Sequence, residues 1–133
     1  MVRKETYRGF EEEQAKEISV EEFLPMLTSR ERRTMKRLNQ DPPYKKLIDK
    51  VRKLKKEGKL DKPIKTQVRH AVILPEWLGL RFEVHNGKEY KQVQITVNAI
   101  GKRLGEFSHS TYRVLHSGPG VGATRGSKFV PLK

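Results

Sequence analysis

The sequence predicts an α+β fold: a small three-stranded antiparallel sheet packed with a basic amphipathic helix, with a helical N-terminal extension and an extended C-terminal tail. Three observations carry this. Asn86-Gly87 lies between two segments of alternating hydrophobicity, the strongest short-range hairpin signal, because both central residues of a type I′ turn need positive φ. Tyr44, Leu47, Ile48, Val51 and Leu54 recur at i, i+3, i+4, i+7 and i+10, which makes one continuous helical stripe. Beyond Ser108 the periodicity stops, and residues 114–133 hold four glycines and two prolines. The chain divides accordingly into an extension over 1–43, an α+β core over 44–113 and a glycine-rich basic tail over 114–133.

Residues 1–17 are polar and acidic with little periodicity, which predicts a disordered or extended arm with Tyr7 and Phe10 as anchors. Ser19-Val20-Glu21-Glu22 has the form of a capping box, and Phe23, Leu24 and Leu27 follow at helical spacing. Pro25 limits that helix to a short turn. Thr28-Ser29-Arg30-Glu31 repeats the capping pattern and opens a helix through about Leu38. It carries Arg30, Arg32, Arg33, Lys36 and Arg37, with only Met35 and Leu38 apolar. Core burial alone does not hold such a helix, so it is read as laid on phosphates. Asn39 to Pro43 reads as a breaker.

The stripe helix spans 44–57, and Gly58 is its natural C-cap. Its other faces carry Lys45, Lys46, Lys50, Arg52, Lys53, Lys55 and Lys56. Lys59 to Thr66 reads as a basic linker. Val68 to Leu74 reads as the third strand, stopped by Pro75, and Pro75 to Gly79 as a turn with Trp77 as a packing residue. A two-residue loop at Asn86-Gly87 sets Val84 opposite Glu89, Phe82 opposite Lys91 and Leu80 opposite Val93. One face then holds Leu80, Phe82, Val84, Val93 and Ile95. Thr96 caps a brief turn ending at Gly101, and Leu104 and Phe107 fold back on the apolar face. Phe129 and Val130 are read as a small anchor in the tail.

Charge is uneven. Residues 1–27 hold four Lys/Arg against seven Asp/Glu, residues 28–70 hold 16 against five, and residues 71–133 hold nine against four. The middle block, +11 over 43 residues, predicts a polyanionic partner. An anionic membrane would call for a basic amphipathic helix bearing Trp or Phe. The one Trp, Trp77, lies outside the basic helices, which favours nucleic acid. The chain has no cysteine, which excludes disulfides and thiolate zinc sites. No apolar run approaches the ~20 residues of a membrane span. Glu11-Glu12-Glu13 interrupts any leader-like pattern, so a soluble intracellular protein is expected.

No motif points to a reaction. Gly118-Pro119-Gly120-Val121-Gly122 lacks dinucleotide-loop spacing, and Gly126-Ser127-Lys128 inverts the order a phosphate loop needs. His70, His85, His109 and His116 show no i, i+4 pairing, so no metal or other cofactor is expected. Glu83 and Glu89 sit among cations and read as solvated pairs. The charge pattern by itself fits either a ribosomal RNA-binding protein or a generic RNA- or DNA-binding module outside the ribosome.

The ordered set Asn86-Gly87-Lys88, Ile95, Ile100-Gly101, Leu104-Gly105-Glu106-Phe107 and Ser110 resembles the signature of the small-subunit ribosomal protein nineteen family. The likeness runs back through Lys62-Pro63-Ile64-Lys65-Thr66, Arg69 and Val72-Ile73-Leu74-Pro75, and forward to Thr111-Tyr112-Arg113. Glu21-Glu22-Phe23, Arg30-Glu31-Arg32-Arg33 and Gly118 to Thr124 resemble its archaeal and eukaryotic branch. The resemblance implies a non-enzymatic, cytoplasmic constituent of the small subunit, bound to the 3′ major domain of its ribosomal RNA in the head. It also implies ribosomal protein thirteen as a neighbour, a contribution to large-subunit contact, and a tail near transfer RNA and the decoding region. The hairpin tip His85, Asn86, Gly87 and Lys88 is carried over as RNA-binding. Phosphate or sugar contacts are expected from Lys65, Arg69, Lys88, Lys102, Arg103 and Arg113. The helical cations Arg30, Arg33, Arg37, Lys45, Lys46, Lys50, Arg52, Lys53 and Lys56, and the tail cations Arg125 and Lys128, complete the expected RNA-binding set. Glu106 is out of place on such a surface unless it pairs with a cation or caps backbone amides.

Overall fold

A computed structural model describes residues 6–60, 62–111, 118–120 and 122–127. Four helices come first: α1 (Glu12–Glu17), α2 (Val20–Met26), α3 (Ser29–Lys36) and α4 (Pro42–Lys56). Three strands follow: β1 (Ile64–Thr66), β2 (Arg81–His85) and β3 (Tyr90–Gln94). Short 3₁₀ turns at Pro75–Trp77, Val97–Ala99 and Leu104–Phe107 shape the connections. The α+β class holds, and a single buried cluster runs from Ala15 on α1 through Tyr44, Trp77 and Phe82 to Leu104.

The extension is more helical than its composition suggests. Glu11 precedes α1, and the Gln14 amide oxygen returns to the Glu11 N–H at 3.2 Å. Ala15 is fully buried, and the Tyr7 ring packs 6.2 Å from that of Phe23. Residues 12–17 are therefore a docked helix and not an extended arm. Ser19 and Glu22 make the predicted capping box (3.3 and 3.2 Å). Thr28 makes no such side-chain bond, and the Glu31 carboxylate is engaged by Arg103 at 3.4 Å. α4 begins two residues before its predicted start. Asp41 caps it through the Tyr44 N–H (3.3 Å), and Pro42 and Pro43 occupy first-turn positions whose N–H groups lack intrahelical partners anyway. Gly58 (φ 68°) ends it, with Lys59 N–H donating to Leu54 and Gly58 N–H to Lys55.

The sheet is mixed, not antiparallel. Its order is β1-β2-β3, with β1 parallel to β2 and β2 antiparallel to β3. The segment expected as the third strand, Val68 to Leu74, does not join it. Ala71, Val72, Ile73 and Leu74 are all buried, so the segment lacks the one-sided alternation of a half-exposed strand. Its backbone pairs with the loop after the hairpin: Ile73 with Lys102 and Gly101, Ala71 with Leu104, and Arg69 with Gly105. Lys59 to Thr66, read as a linker, supplies β1 instead.

The hairpin register is displaced by two residues. Phe82 faces Val93, Val84 faces Lys91 and His85 faces Tyr90. The cause lies at the tip, where Asn86 Oδ1 accepts from the N–H groups of Lys88 (2.9 Å) and Glu89 (2.8 Å). Gly87 takes φ 107°, but Asn86 does not take positive φ, so the turn is not type I′. Because the displacement is even, Phe82, Val84, Val93 and Ile95 still share the buried face.

Candidate nucleic-acid interface

The cations sort into two populations. In the first, arginines fasten the fold from within. Arg32 donates to the carbonyls of Leu24, Pro25 and Leu27 (3.1, 3.1 and 2.9 Å), closing the C-terminal end of α2. Arg52 grips Glu76 with two bonds of 3.2 and 2.8 Å. That grip holds the Glu76 carboxyl below its usual range, against the opposing effect of burial, and raises Arg52. Arg69 donates to the carbonyls of His85 (2.7 Å), Gly105 (3.1 Å) and Ser108 (2.5 Å), tying the hairpin end to the loop after it. Arg103 reaches Glu31, Thr34 and the His70 carbonyl and joins α3 to the core. Buried Tyr44 donates to the Val72 carbonyl at 2.9 Å, and burial raises its hydroxyl well above the ordinary range.

In the second population the cations face outward. Arg30 and Arg33 on α3 and Arg37, the residue that ends it, fall at i, i+3 and i+7 and share one side. With Ser29, Thr34 and Arg103 they line an open notch of about 300 Å³. Arg103 is pre-oriented there by its bonds to Glu31 and Thr34. Lys45, Lys46, Lys53 and Lys56 are exposed on α4, and among the described residues no ion pair engages them. A second concavity, about 490 Å³, has an apolar floor of Leu54, Pro63 and Ile64 and a rim of Lys50, Lys59, Lys62 and Lys65. Lys50 there donates to the Lys65 carbonyl (3.4 Å). Guanidinium forks and ammonium rims of this kind suit phosphate oxygens. The concavity of about 790 Å³ lined by Glu11, Glu12 and Glu13 has the wrong sign for phosphate.

At the hairpin tip Lys88 is exposed, while Asn86 and Gly87 shape the turn. His85 Nδ1 accepts from the Gly87 N–H at 3.1 Å. Lys102 lies 6.0 Å from the Phe107 ring centroid. Glu106 accepts from the Arg103 N–H at 3.1 Å, so it caps a backbone amide. Trp77 is fully buried against Phe82, with ring centroids 5.1 Å apart, as expected of a packing residue. Arg125 is exposed in a short 3₁₀ turn, Arg125–Ser127. Arg113 and Lys128, and the anchor residues Phe129 and Val130, lie outside the described residues.

The geometry gathers Arg30, Arg33, Arg37 and Arg103 at one notch and Lys50 and Lys65 at another. It directs Arg52 and Arg69 to partners within the chain. Lys59 and Lys62 escaped the sequence-based set of RNA-binding residues because a linker gives no face. They become part of a site once β1 returns along α4. Among the described residues no group of three His, Asp or Glu side chains is placed to hold a metal ion, and no helix is long and apolar enough to cross a membrane.

Comparison with known proteins bears on this basic surface. The family profile described as Ribosomal protein S19 matches residues 33–116. The chain is 42% identical over 131 residues to a protein of Metallosphaera sedula named small ribosomal subunit protein uS19, covering 98% of this chain and 93% of that one. It is 45% identical over 127 residues to the Saccharolobus solfataricus protein of the same name, covering 96% and 90%. Both archaeal matches extend through the segment before residue 33 that the family profile leaves out, as the archaeal-type reading of the extension requires. On the strength of that profile and those near-full-length relatives, the chain belongs to the ribosomal protein S19 family.

Proposed function

We propose that this chain is a non-catalytic structural constituent of the small ribosomal subunit in the cytoplasm, and that it binds small-subunit ribosomal RNA. The names of its relatives support the assembly. The observation that carries RNA binding is the division of the cations. The inward set holds the fold, and Arg30, Arg33, Arg37, Lys45, Lys46, Lys53 and Lys56 face outward with no ion pair among the described residues. A surface built so is complementary to folded RNA, which is recognised largely by shape, phosphate and 2′-OH.

The finer assignment is the head of the subunit and the 3′ major domain of its RNA, with ribosomal protein thirteen as neighbour and a contribution to large-subunit contact. The segment 114–133, with Arg125 and Lys128, and the preceding Arg113 are assigned to the decoding region and transfer RNA. In this reading the extension over 1–43 and the core over 44–113 both contribute phosphate contacts. Arg52, Arg69 and Arg103 act chiefly by positioning.

Because the chain has no cysteine, one introduced thiol gives a clean tethered probe. A Lys36→Cys variant carrying an iron chelate, assembled into small subunits, is expected to cleave the RNA within the 3′ major domain. Cleavage confined to another domain contradicts the placement. Failure to assemble, in a variant that folds normally, favours a generic basic binder.

A further inference from the structure

The outer face of the sheet has a chemistry unlike that of the helical surface. Strand alternation and register place Lys65, Glu83 and Gln92 in one row on it, with His85 beside Tyr90 in the next. Among the described residues Tyr90 is the one large apolar side chain that is exposed, at 42%. It is exposed and also held. Gln67 Nε2 reaches its hydroxyl at 3.3 Å. The His85 ring packs edge-on with centroids 4.9 Å apart, and His85 is itself oriented by the Gly87 N–H. Lys65 Nζ lies 5.6 Å from the ring centroid. A ring kept in place and yet left in water is suited to receive another flat group.

We infer that Tyr90 is a seat for one unpaired RNA base, which stacks on the phenol ring while Lys65 meets the phosphate of the same or the adjacent nucleotide. Continuity with the cationic surface supports this occupant. Lys65 also belongs to the rim it shares with Lys50, Lys59 and Lys62, so a strand following that rim delivers its base to Tyr90. Lys65 can yield the ring face. Its side chain is 67% exposed, and its ion pair to Glu83 is 3.5 Å long. Gln92 and His85 offer hydrogen-bonding groups beside the ring, as base edges require, where the notch on α3 offers guanidinium groups for phosphate. The inference rests on the RNA-binding reading above. The bland alternative is that Tyr90 and His85 only stabilise the hairpin as a cross-strand aromatic pair.

The test measures binding of the full chain to a transcript of the 3′ major domain at several salt concentrations, for wild type, Tyr90→Ala and Tyr90→Phe, with urea midpoints on the same proteins. One stacked base predicts that Tyr90→Ala weakens binding by about five- to a hundredfold, with the salt slope unchanged. Tyr90→Phe should stay within about twofold of wild type. Folded Tyr90→Ala with wild-type affinity overturns the inference, and so does an equal loss in both variants or a reduced salt slope. If Tyr90→Ala fails to fold, ultraviolet crosslinking of the wild-type complex decides. A nucleotide adduct on Tyr90 or His85 supports the seat, and adducts only elsewhere overturn it. The RNA-binding reading fails separately, if wild type does not prefer the transcript to unrelated RNA. Stacking is then scored on a single-stranded oligonucleotide with the same variants and the same criteria.

Discussion

Replacing Arg69 by lysine separates a structural from an RNA-contacting arginine. Lysine keeps the charge and most of the length but loses the planar fork. In the structure that fork serves three carbonyls, those of His85, Gly105 and Ser108, at 2.7, 3.1 and 2.5 Å. Hydrogen bonds to a charged group contribute ~1.5–3 kcal/mol each, and an ammonium in the same place can serve one of the three well. The bonds are not additive and the site is only part-buried, so a loss of about 2–4 kcal/mol is expected for Arg69→Lys. That is a large share of the ~5–15 kcal/mol available to a domain. Urea unfolding of the free protein measures it. The midpoint should fall, and the RNA salt slope of the folded protein should stay within about 0.5 of wild type, because no phosphate contact has been removed. A wild-type midpoint with weakened RNA binding would instead return Arg69 to the phosphate-contacting set.

Three further outcomes follow from particular contacts. Changing Arg30, Arg33 and Arg37 together to glutamine should leave the urea midpoint nearly unchanged and reduce the salt slope of RNA binding by about 2–3; an unchanged slope removes the α3 notch from the interface. Gly105→Ala should cost ~1–3 kcal/mol, since a Cβ there would meet the Arg69 carbonyl oxygen at 3.0 Å and Arg69 Cβ at 3.1 Å, and thermal melting that matches wild type would mean the loop relaxes freely. Glu76→Gln should cost no more than about 1 kcal/mol at neutral pH, because Arg52 is half exposed. The Arg52 contact depresses the Glu76 carboxyl, so its stabilisation is present above the ordinary glutamate value. It is lost as pH falls below about 4, through the depressed value. Wild type and variant should therefore converge in acid, and a difference that persists at pH 2 contradicts the assignment.

The sequence made some features legible and hid others for identifiable reasons. The α4 stripe was readable because Tyr44, Leu47, Ile48 and Val51 repeat a helical period over a long segment, and all four are buried. The buried face of the hairpin was readable because an even register displacement preserves side-chain parity. The displacement itself was hidden, since it depends on Asn86 Oδ1 taking two backbone amides, a choice the dipeptide Asn-Gly does not reveal. Strand β1 was hidden because Ile64–Thr66 offers three residues and a parallel partner 18 residues away, Phe82 for Ile64. Val68 to Leu74 looked like a strand by composition, but its four consecutive buried residues fill a layer between elements. At the interface, composition identified the cations but not their partners. Arg52 is separated from Glu76 by 24 residues, Arg69 from Ser108 by 39 and Arg103 from Glu31 by 72. Only folding tells a stapling arginine from an outward one. The N-terminal helix was missed because Ala15 is its single buried residue, too little for a periodic signal.

Whether this basic surface binds the chain to the small ribosomal subunit is read out by co-sedimentation. Tagged protein expressed in an archaeal host is run through a sucrose gradient, and the fractions are washed at rising salt. Stable co-migration with the small subunit through the wash is expected, reduced when Arg30, Arg33 and Arg37 are replaced. Loss at moderate salt, or a spread over every RNA-containing fraction, would contradict it.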